Sequence, residues 1–408
     1  MSAPSVRSPA ALLSGLASLD DVEVENQRVL LRADLDAPLN KQGEIVDDSA
    51  IRRVAPTVRR LVEAGARVIV ASRFGVARRS DKTPPSIEPA AARLGELTDL
   101  EVYLPDDCVG DSVKKVISDL RDGQICVLEN LARGPEDGRA DEAFARALMA
   151  YCDVFVNDAL SSCERESATT TILPRLLEQR VAGPNLLAEL EAVLRILNPT
   201  GPFTIVLGGS RLTDKIDVLH TLLPRCQQLC AAGVPGNTMV RARGGAMGTS
   251  VVEESYLAGA RTLMDQAFGR LLLPEDFVVA TSVKAASGRV APAGELDPVE
   301  GAVDLGPRAR EAFQEQIARA GTVLWWGTIG FHKNPAFAEG TRAVVEALAD
   351  SSAFTMVVGD DSVAAARQVC PERVGDIDHL AGGGSATLAL LAGKKLPGLE
   401  ALRGMGHD

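Results

Sequence analysis

Twice along this chain, short apolar runs alternate with longer stretches of helical pattern. In the first half the strand-like runs are Arg28–Ala33, Ala66–Ser72, Gln124–Leu128 and Val154–Val156, and the helical stretches are Ile51–Ala64, Pro89–Leu97 and Asp141–Ala150. In the second half Phe203–Val206, Phe277–Ala280, Thr322–Trp325 and Phe354–Val358 read as strands. Lys215–Cys230, Ser255–Leu271, Pro307–Ala320, Pro335–Ala349 and Ser362–Val369 read as helices. This alternation specifies an α/β fold of two doubly wound parallel sheets with helices on both faces. Leu186–Leu197 reads as helical, and Asn198-Pro199-Thr200-Gly201-Pro202 is a strong breaker. The expected division is an amino lobe over 1–182, a helix and connector over 183–202, a carboxyl lobe over 203–385 and a last segment over 386–408.

The length of 408 residues allows two sizeable cores. A net charge of −12 argues against nucleic acid or an anionic membrane as partner, so any anionic ligand needs a local cationic pocket. No apolar run reaches the ~18 residues of a membrane span. The seven cysteines are scattered with no CxxC, as in a cytoplasmic protein with reduced thiols. Cys226 and Cys230 are expected to share a helix face as packing residues.

In open α/β sheets, ligands sit beyond the carboxyl ends of the strands. There the chain places Asp34, Asp36, Arg73, Gly75, Glu129, Asn130, Asn157, Asp158, Gly208, Gly209, Gly327, Gly330, Gly359, Asp361 and Gly382-Gly383-Gly384. The stretch Leu207–Ile216, LGGSRLTDKI, follows a strand and opens a helical run. Its glycines let backbone N–H groups approach an anion, and Arg211 and Lys215, four apart, would share one helix face. The stretch fits a phosphate site or an ordinary strand-to-helix turn with solvated charges.

Many segments in order carry a resemblance to phosphoglycerate kinase over about Val29 to Leu402. Among them are VLLRADLDAPL, VIVASRFG, VLENL, DVFVNDAL, LGGSRLTDKI, WWGTIGF, GDDSVAAA and HLAGGGSATL. The resemblance implies two Rossmann-like lobes joined by a hinge helix, with the C-terminal segment returning to the amino lobe. A phosphoglycerate-type acid would bind in the amino lobe and Mg2+ with ADP or ATP in the carboxyl lobe. The reaction moves a phosphoryl group between an acyl phosphate and ADP. Partners are then small molecules, a nucleotide and a phosphorylated acid, and the chain is expected to act as a monomer. By resemblance Lys215, Arg211, Gly383 and Gly384 take catalytic positions. Asp34, Asp36, Arg73 and Arg165 take the substrate side. Gly208, Gly209, Lys215, Gly233, Gly327, Gly359, Asp361 and Ser362 take the nucleotide side, with Asp361 on the metal.

Several family positions are substituted. The family motif VDFNVP reads Ala33-Asp34-Leu35-Asp36-Ala37-Pro38, and the arginine of its DDTRI-type segment is Ala50. SHLGRP reads Ser72-Arg73-Phe74-Gly75-Val76-Ala77, and the arginine of VLENLR is Ala132, with Arg133 beside it. Arg165 survives between Glu164 and Glu166. In the carboxyl lobe the first lysine of GGAKVSDK is Arg211, the asparagine of WNGP is Trp326 and the ribose-side glutamate is Lys333. Removing one preorganised stabiliser slows a reaction roughly 10²–10³-fold, and an arginine on a transferring phosphoryl is worth ~10³–10⁵. A phosphotransferase with weak activity or an altered acceptor is therefore one reading. A catalytically silent paralogue that binds or regulates is the alternative, and Arg53, Arg73, Arg78 and Arg79 are the cations that would compensate in an ordinary kinase.

Overall fold

The computed structural model describes residues 12–75, 83–121 and 123–404, so Val76, Ala77, Arg78 and Arg79 lie outside the described residues. The chain divides into two compact units. One runs to Leu190 and takes back the segment from Lys395 on, and the other is Glu191–Lys394. The division falls inside the helix Pro184–Leu197.

The amino-terminal unit holds β1 (Arg28–Arg32), β2 (Arg67–Ala71), β3 (Val102–Tyr103), β4 (Ile125–Val127), β5 (Val154–Asn157) and β6 (Arg180–Ala182) in one sheet, order β3-β4-β2-β1-β5-β6. Every pairing in it is parallel. Such a sheet is covered on both faces, which is why β1 and β2 read as near-continuous Val/Ile/Leu runs rather than as alternating ones. The helix Ser49–Glu63 buries Ile51, Val54, Ala55, Val58 and Leu61, the three-and-four spacing of an amphipathic helix. Just beyond β5, buried Asp158 accepts hydrogen bonds from Thr57 Oγ1 (2.8 Å) and from the Asn185 backbone N (2.7 Å) and Nδ2 (2.6 Å). Burial pushes its carboxyl above the usual carboxylate range. Asp158 thus fastens the start of the helix Pro184–Leu197 to the sheet edge. The helix Pro397–Leu402 also packs in this unit, so closely that a Cβ on Gly398 would stand 2.7 Å from Cys163 Cα.

The carboxyl-terminal unit contains β7 (Phe203–Leu207), β8 (Gln228–Ala231), β9 (Ala246–Met247), β10 (Leu271–Leu272), β11 (Asp276–Ala280), β12 (Arg289–Pro292), β13 (Glu295–Leu296), β14 (Gly301–Leu305), β15 (Thr322–Trp326), β16 (Phe354–Val358) and β17 (His379–Leu380). Its main sheet has the order β10-β8-β7-β15-β16-β17, again parallel throughout. A second cluster of buried side chains, including Trp325, Phe313 and Val344, packs here.

Two expectations fail in this unit. The stretch Lys215–Cys230 is not one helix: a helix Ile216–Leu222 gives way to a turn at Leu223–Arg225 and then to β8. Pro224 has no N–H to continue the helix, and Cys226 and Cys230 lie on a turn and a strand with no helix face to share. The Phe277–Ala280 run belongs not to the parallel sheet but to an antiparallel one, β12-β11-β14. Only a short loop without a helix joins β11 to β12, and a parallel crossover needs a dozen or more residues.

Candidate functional site

At the carboxyl end of β7, Gly208 and Gly209 cross the end of β15. Gly208 N donates to Trp326 O (2.8 Å) and Gly209 N to Thr328 O (2.7 Å). A Cβ on Gly208 would meet Thr328 O at 2.3 Å and Gly327 O at 2.7 Å, and Gly327 sits at φ +96° against the Gly208 carbonyl. Gly233, at φ +56°, closes on Gly209 from the end of β8. The glycines therefore let three strand ends meet. The Gly208 and Gly209 N–H groups are spent on neighbouring carbonyls, so these glycines serve the edge through the room their missing Cβ atoms leave. Gly208→Ala should destabilise the protein by about 2 kcal/mol, the scale of overpacking against backbone, read from urea unfolding of the variant beside wild type.

The expected pairing of Arg211 and Lys215 on one helix face also fails. The helix begins only at Ile216, after a 3-10 turn Thr213–Lys215, and Arg211 precedes both. Arg211 is exposed while Lys215 is 6% exposed. The turn is set by Glu253, whose carboxylate accepts from the Leu212 and Thr213 N–H groups and from Thr213 Oγ1 (2.7 Å). Glu253, which no sequence pattern marks, thus fills the start of this turn with negative charge.

Lys215 is the unusual group here. Its Nζ lies 3.7 Å from the centroid of the Trp326 ring. No hydrogen bond or ion pair is made by this ammonium among the described residues. Burial lowers its pKa from 10.5 to about 8, with Asp214 and Asp361 pulling the other way. Asp361 is exposed in the first turn of the helix Asp360–Val369, which Gly359 caps at φ +87°. Ser362 is buried and its Oγ accepts from Gly327 N (2.8 Å), so it holds the β15 loop. Of the two tryptophans, Trp325 is fully buried and donates to Gly327 O (2.7 Å), while Trp326 faces Lys215. Gly383 and Gly384 precede the helix Ser385–Leu391, with Gly384 at φ +54° beside the Asp360 carboxylate. This edge thus brings Lys215, Asp361, Gly327 and Gly359 together and leaves Arg211 on the surface.

The amino-terminal unit presents a different balance. Asp34 accepts from Ser161 Oγ (2.7 Å) and from Asp36 N (3.1 Å), and Asp36 accepts from Gly75 N (2.7 Å). Arg73 is exposed, its guanidinium beside Gly138, and Arg165 is exposed. Arg133 is paired with Glu129 (3.1 Å), so it does not replace the cation missing at Ala132. Ala50 is half-buried in the first turn of the helix Ser49–Glu63. Sequence reasoning overlooked Arg32, 4% exposed at the end of β1. Its Nη1 donates to Ala33 O (2.6 Å) and its Nε to Thr169 Oγ1 (3.4 Å). Burial lowers its pKa, opposed by Asp137. Asp137 accepts from Thr169 N and Oγ1 with one oxygen, and its buried Oδ2 has no partner among the described residues. The available signal was an arginine at the carboxyl end of RVLLR, directly after the apolar Val29-Leu30-Leu31.

Among the described residues no three His, Cys, Asp or Glu side chains come together as a metal cage, and no helix is long and apolar enough to cross a membrane. The family model for phosphoglycerate kinase matches residues 19–394. The chain is 39% identical over 394 residues to phosphoglycerate kinase of Anaeromyxobacter dehalogenans, covering 95% of this chain and 99% of that one. It is 39% identical over 397 residues to that of Salinispora tropica, covering 95% and 99%. The solved phosphoglycerate kinase of Coxiella burnetii superposes with a TM-score of 0.82 at 30% identity, over 95% of this chain and 98% of that one. The Pyrococcus horikoshii enzyme gives 0.84 at 27%, over 94% and 98%. With its two parallel sheets and a match along nearly its whole length, the chain belongs to the phosphoglycerate kinase family.

Proposed function

We propose that this chain is a phosphoglycerate-kinase-type phosphotransferase that keeps its nucleotide half and has a weakened or altered acceptor half. The Lys215 ammonium at the carboxyl edge of a parallel sheet, which among the described residues has the Trp326 ring beside it and no oxyanion bonded to it, carries the reading. A buried charge without a partner is costly, and an oxyanion is the group that would satisfy it. Asp361, an exposed carboxylate close enough for Lys215 to feel its charge, fits a magnesium ion, which is commonly held by one or two carboxylates together with nucleotide phosphates. Bound there, Mg2+ would supply charge neutralisation between the phosphates of ADP or ATP. Lys215 would hold a phosphate oxygen, and Gly327 and Gly359 would keep the edge open beside it.

On the acceptor side, the exposed Arg73 and Arg165 would meet a phosphorylated acid with the buried Arg32 adding positive charge behind them, while Asp34 and Asp36 add negative charge where Ala50 and Ala132 withhold positive charge. The reading needs one chain, since both halves lie in it. All seven cysteines are free and buried, which supports a reducing, cytoplasmic setting.

A coupled assay with 3-phosphoglycerate and Mg-ATP, run beside calorimetry with Mg-ADP, tests the reading. Saturable nucleotide binding is expected, with turnover depressed on the order of 10³-fold relative to the family's ordinary enzymes. Turnover at ordinary rates would overturn the acceptor claim. No turnover with nucleotide binding intact would favour the silent paralogue, and loss of both would overturn the nucleotide claim.

A further inference from the structure

We propose that Trp326 is a clamp for Lys215: its ring holds the ammonium parked at the sheet edge, and a bound phosphate oxyanion must draw it off. The proposal rests on reading this edge as a phosphate site, and it assigns to Trp326 the setting of anion affinity there.

Three observations carry it. First, the contact itself is close: at 3.7 Å from the centroid, the ammonium is well inside the range in which a ring quadrupole attracts a cation, and indole is the strongest such ring. Secondly, among the described residues no hydrogen bond or ion pair holds the ammonium in place of the ring. Asp214 and Asp361 both face the lysine and attract it, yet neither makes an ion pair or hydrogen bond with it. Thirdly, the ring is the fixed partner and the lysine the movable one. The Trp326 carbonyl is held by Gly208 N (2.8 Å). The indole also lies on Gly359, where a Cβ would come within 3.3 Å of Cδ1 and 3.4 Å of Nε1. Lys215 reaches the ring at the end of a four-carbon stem, and its Nζ also stands 3.5 Å from where a Cβ on Gly209 would be.

A ring that holds an ammonium competes with any oxyanion for it. Cation–π attraction at a desolvated site is strong enough to shift affinity about tenfold. Trp326→Leu, which keeps apolar bulk and removes the π face, should therefore bind Mg-ADP about tenfold more tightly than wild type. Trp326→Phe keeps a weaker face and should fall between the two.

Tryptophan emission of the full chain tests the clamp directly. In ligand-free protein, emission should change with a midpoint near pH 8 as Lys215 loses its proton and its hold on the ring. That step should vanish in Lys215→Met. On titration with Mg-ADP, emission should change again, in parallel with the calorimetric isotherm. A wild-type chain with no step between about pH 6 and 10, or an identical step in Lys215→Met, would overturn the clamp. Calorimetric binding of Mg-ADP with unchanged emission would overturn the release. If wild type binds no Mg-ADP but Trp326→Leu does, the clamp is supported in its strongest form. If neither binds, the phosphate-site reading fails and the affinity-setting role falls with it, while the ligand-free step still reports whether the contact exists.

Discussion

Lys215→Met is expected to make the protein more stable by about 2 kcal/mol at pH 7 while destroying its anion site. The lysine's pKa falls from 10.5 to about 8 on folding because the ammonium is buried. At 1.36 kcal/mol for each pH unit, that drop corresponds to a net penalty of roughly 2–3 kcal/mol. The sign follows from proton binding. Between about pH 8 and 10.5 the unfolded chain carries the proton and the folded chain does not, so wild-type stability rises with pH across that window. The penalty is fully present below about pH 8 and fades towards 10.5. The advantage of Lys215→Met should therefore be largest at pH 7 and nearly gone at pH 10.5. Urea unfolding at the two pH values measures it, and an advantage that does not shrink would mean the lysine is not the group responsible. Stability gained by deleting a functional charge is the usual trade-off at a site held in an unfavourable state.

Ala50→Arg should raise phosphoglycerate-dependent turnover by at least about 10²-fold. An arginine acting on a transferring phosphoryl is worth ~10³–10⁵, and imperfect placement in a changed pocket takes some of this back. The position tolerates the change. Ala50 is half-buried in the first helical turn, and arginine is nearly as good a helix former as alanine. Both nearby acids are already engaged, Asp48 accepting from Arg52 (2.7 Å) and Arg93 (2.8 Å) and Asp47 from Ser49 N (2.9 Å), so neither is poised to capture the new guanidinium. A coupled assay of the variant beside wild type reads the effect. An unchanged rate would show that the acceptor side lacks more than this one cation.

The main sheets were legible in the sequence because parallel strands buried on both faces are apolar throughout. Arg28–Ala33, Ala66–Ser72, Phe203–Val206 and Phe354–Val358 were all found within a residue or two of their limits. What misled were short strands beside helices. Gln228–Ala231 has helix-compatible spacing, and only the Pro224 turn before it separates it from the helix Ile216–Leu222. The hairpin that makes β11 antiparallel depends on loop length, not on the strand's own residues.

At the candidate site, residue types were readable and their environments were not. Arg211 and Lys215 look equivalent in sequence, yet the 3-10 turn leaves one in solvent and buries the other. Arg32 was overlooked because a strand-ending arginine resembles a solvated one until Asp137 and Thr169 are seen around it. Trp326 showed as a substitution, but its stacking on Lys215 is a fact of three dimensions.

Calorimetric titration of Mg-ADP into wild type and Lys215→Ala tests the central claim most directly. Saturable one-site binding by wild type, weakened at least about 100-fold in the variant, is the expected result, as for loss of a charge-assisted contact to a phosphate. Equal binding by the two proteins would contradict the account.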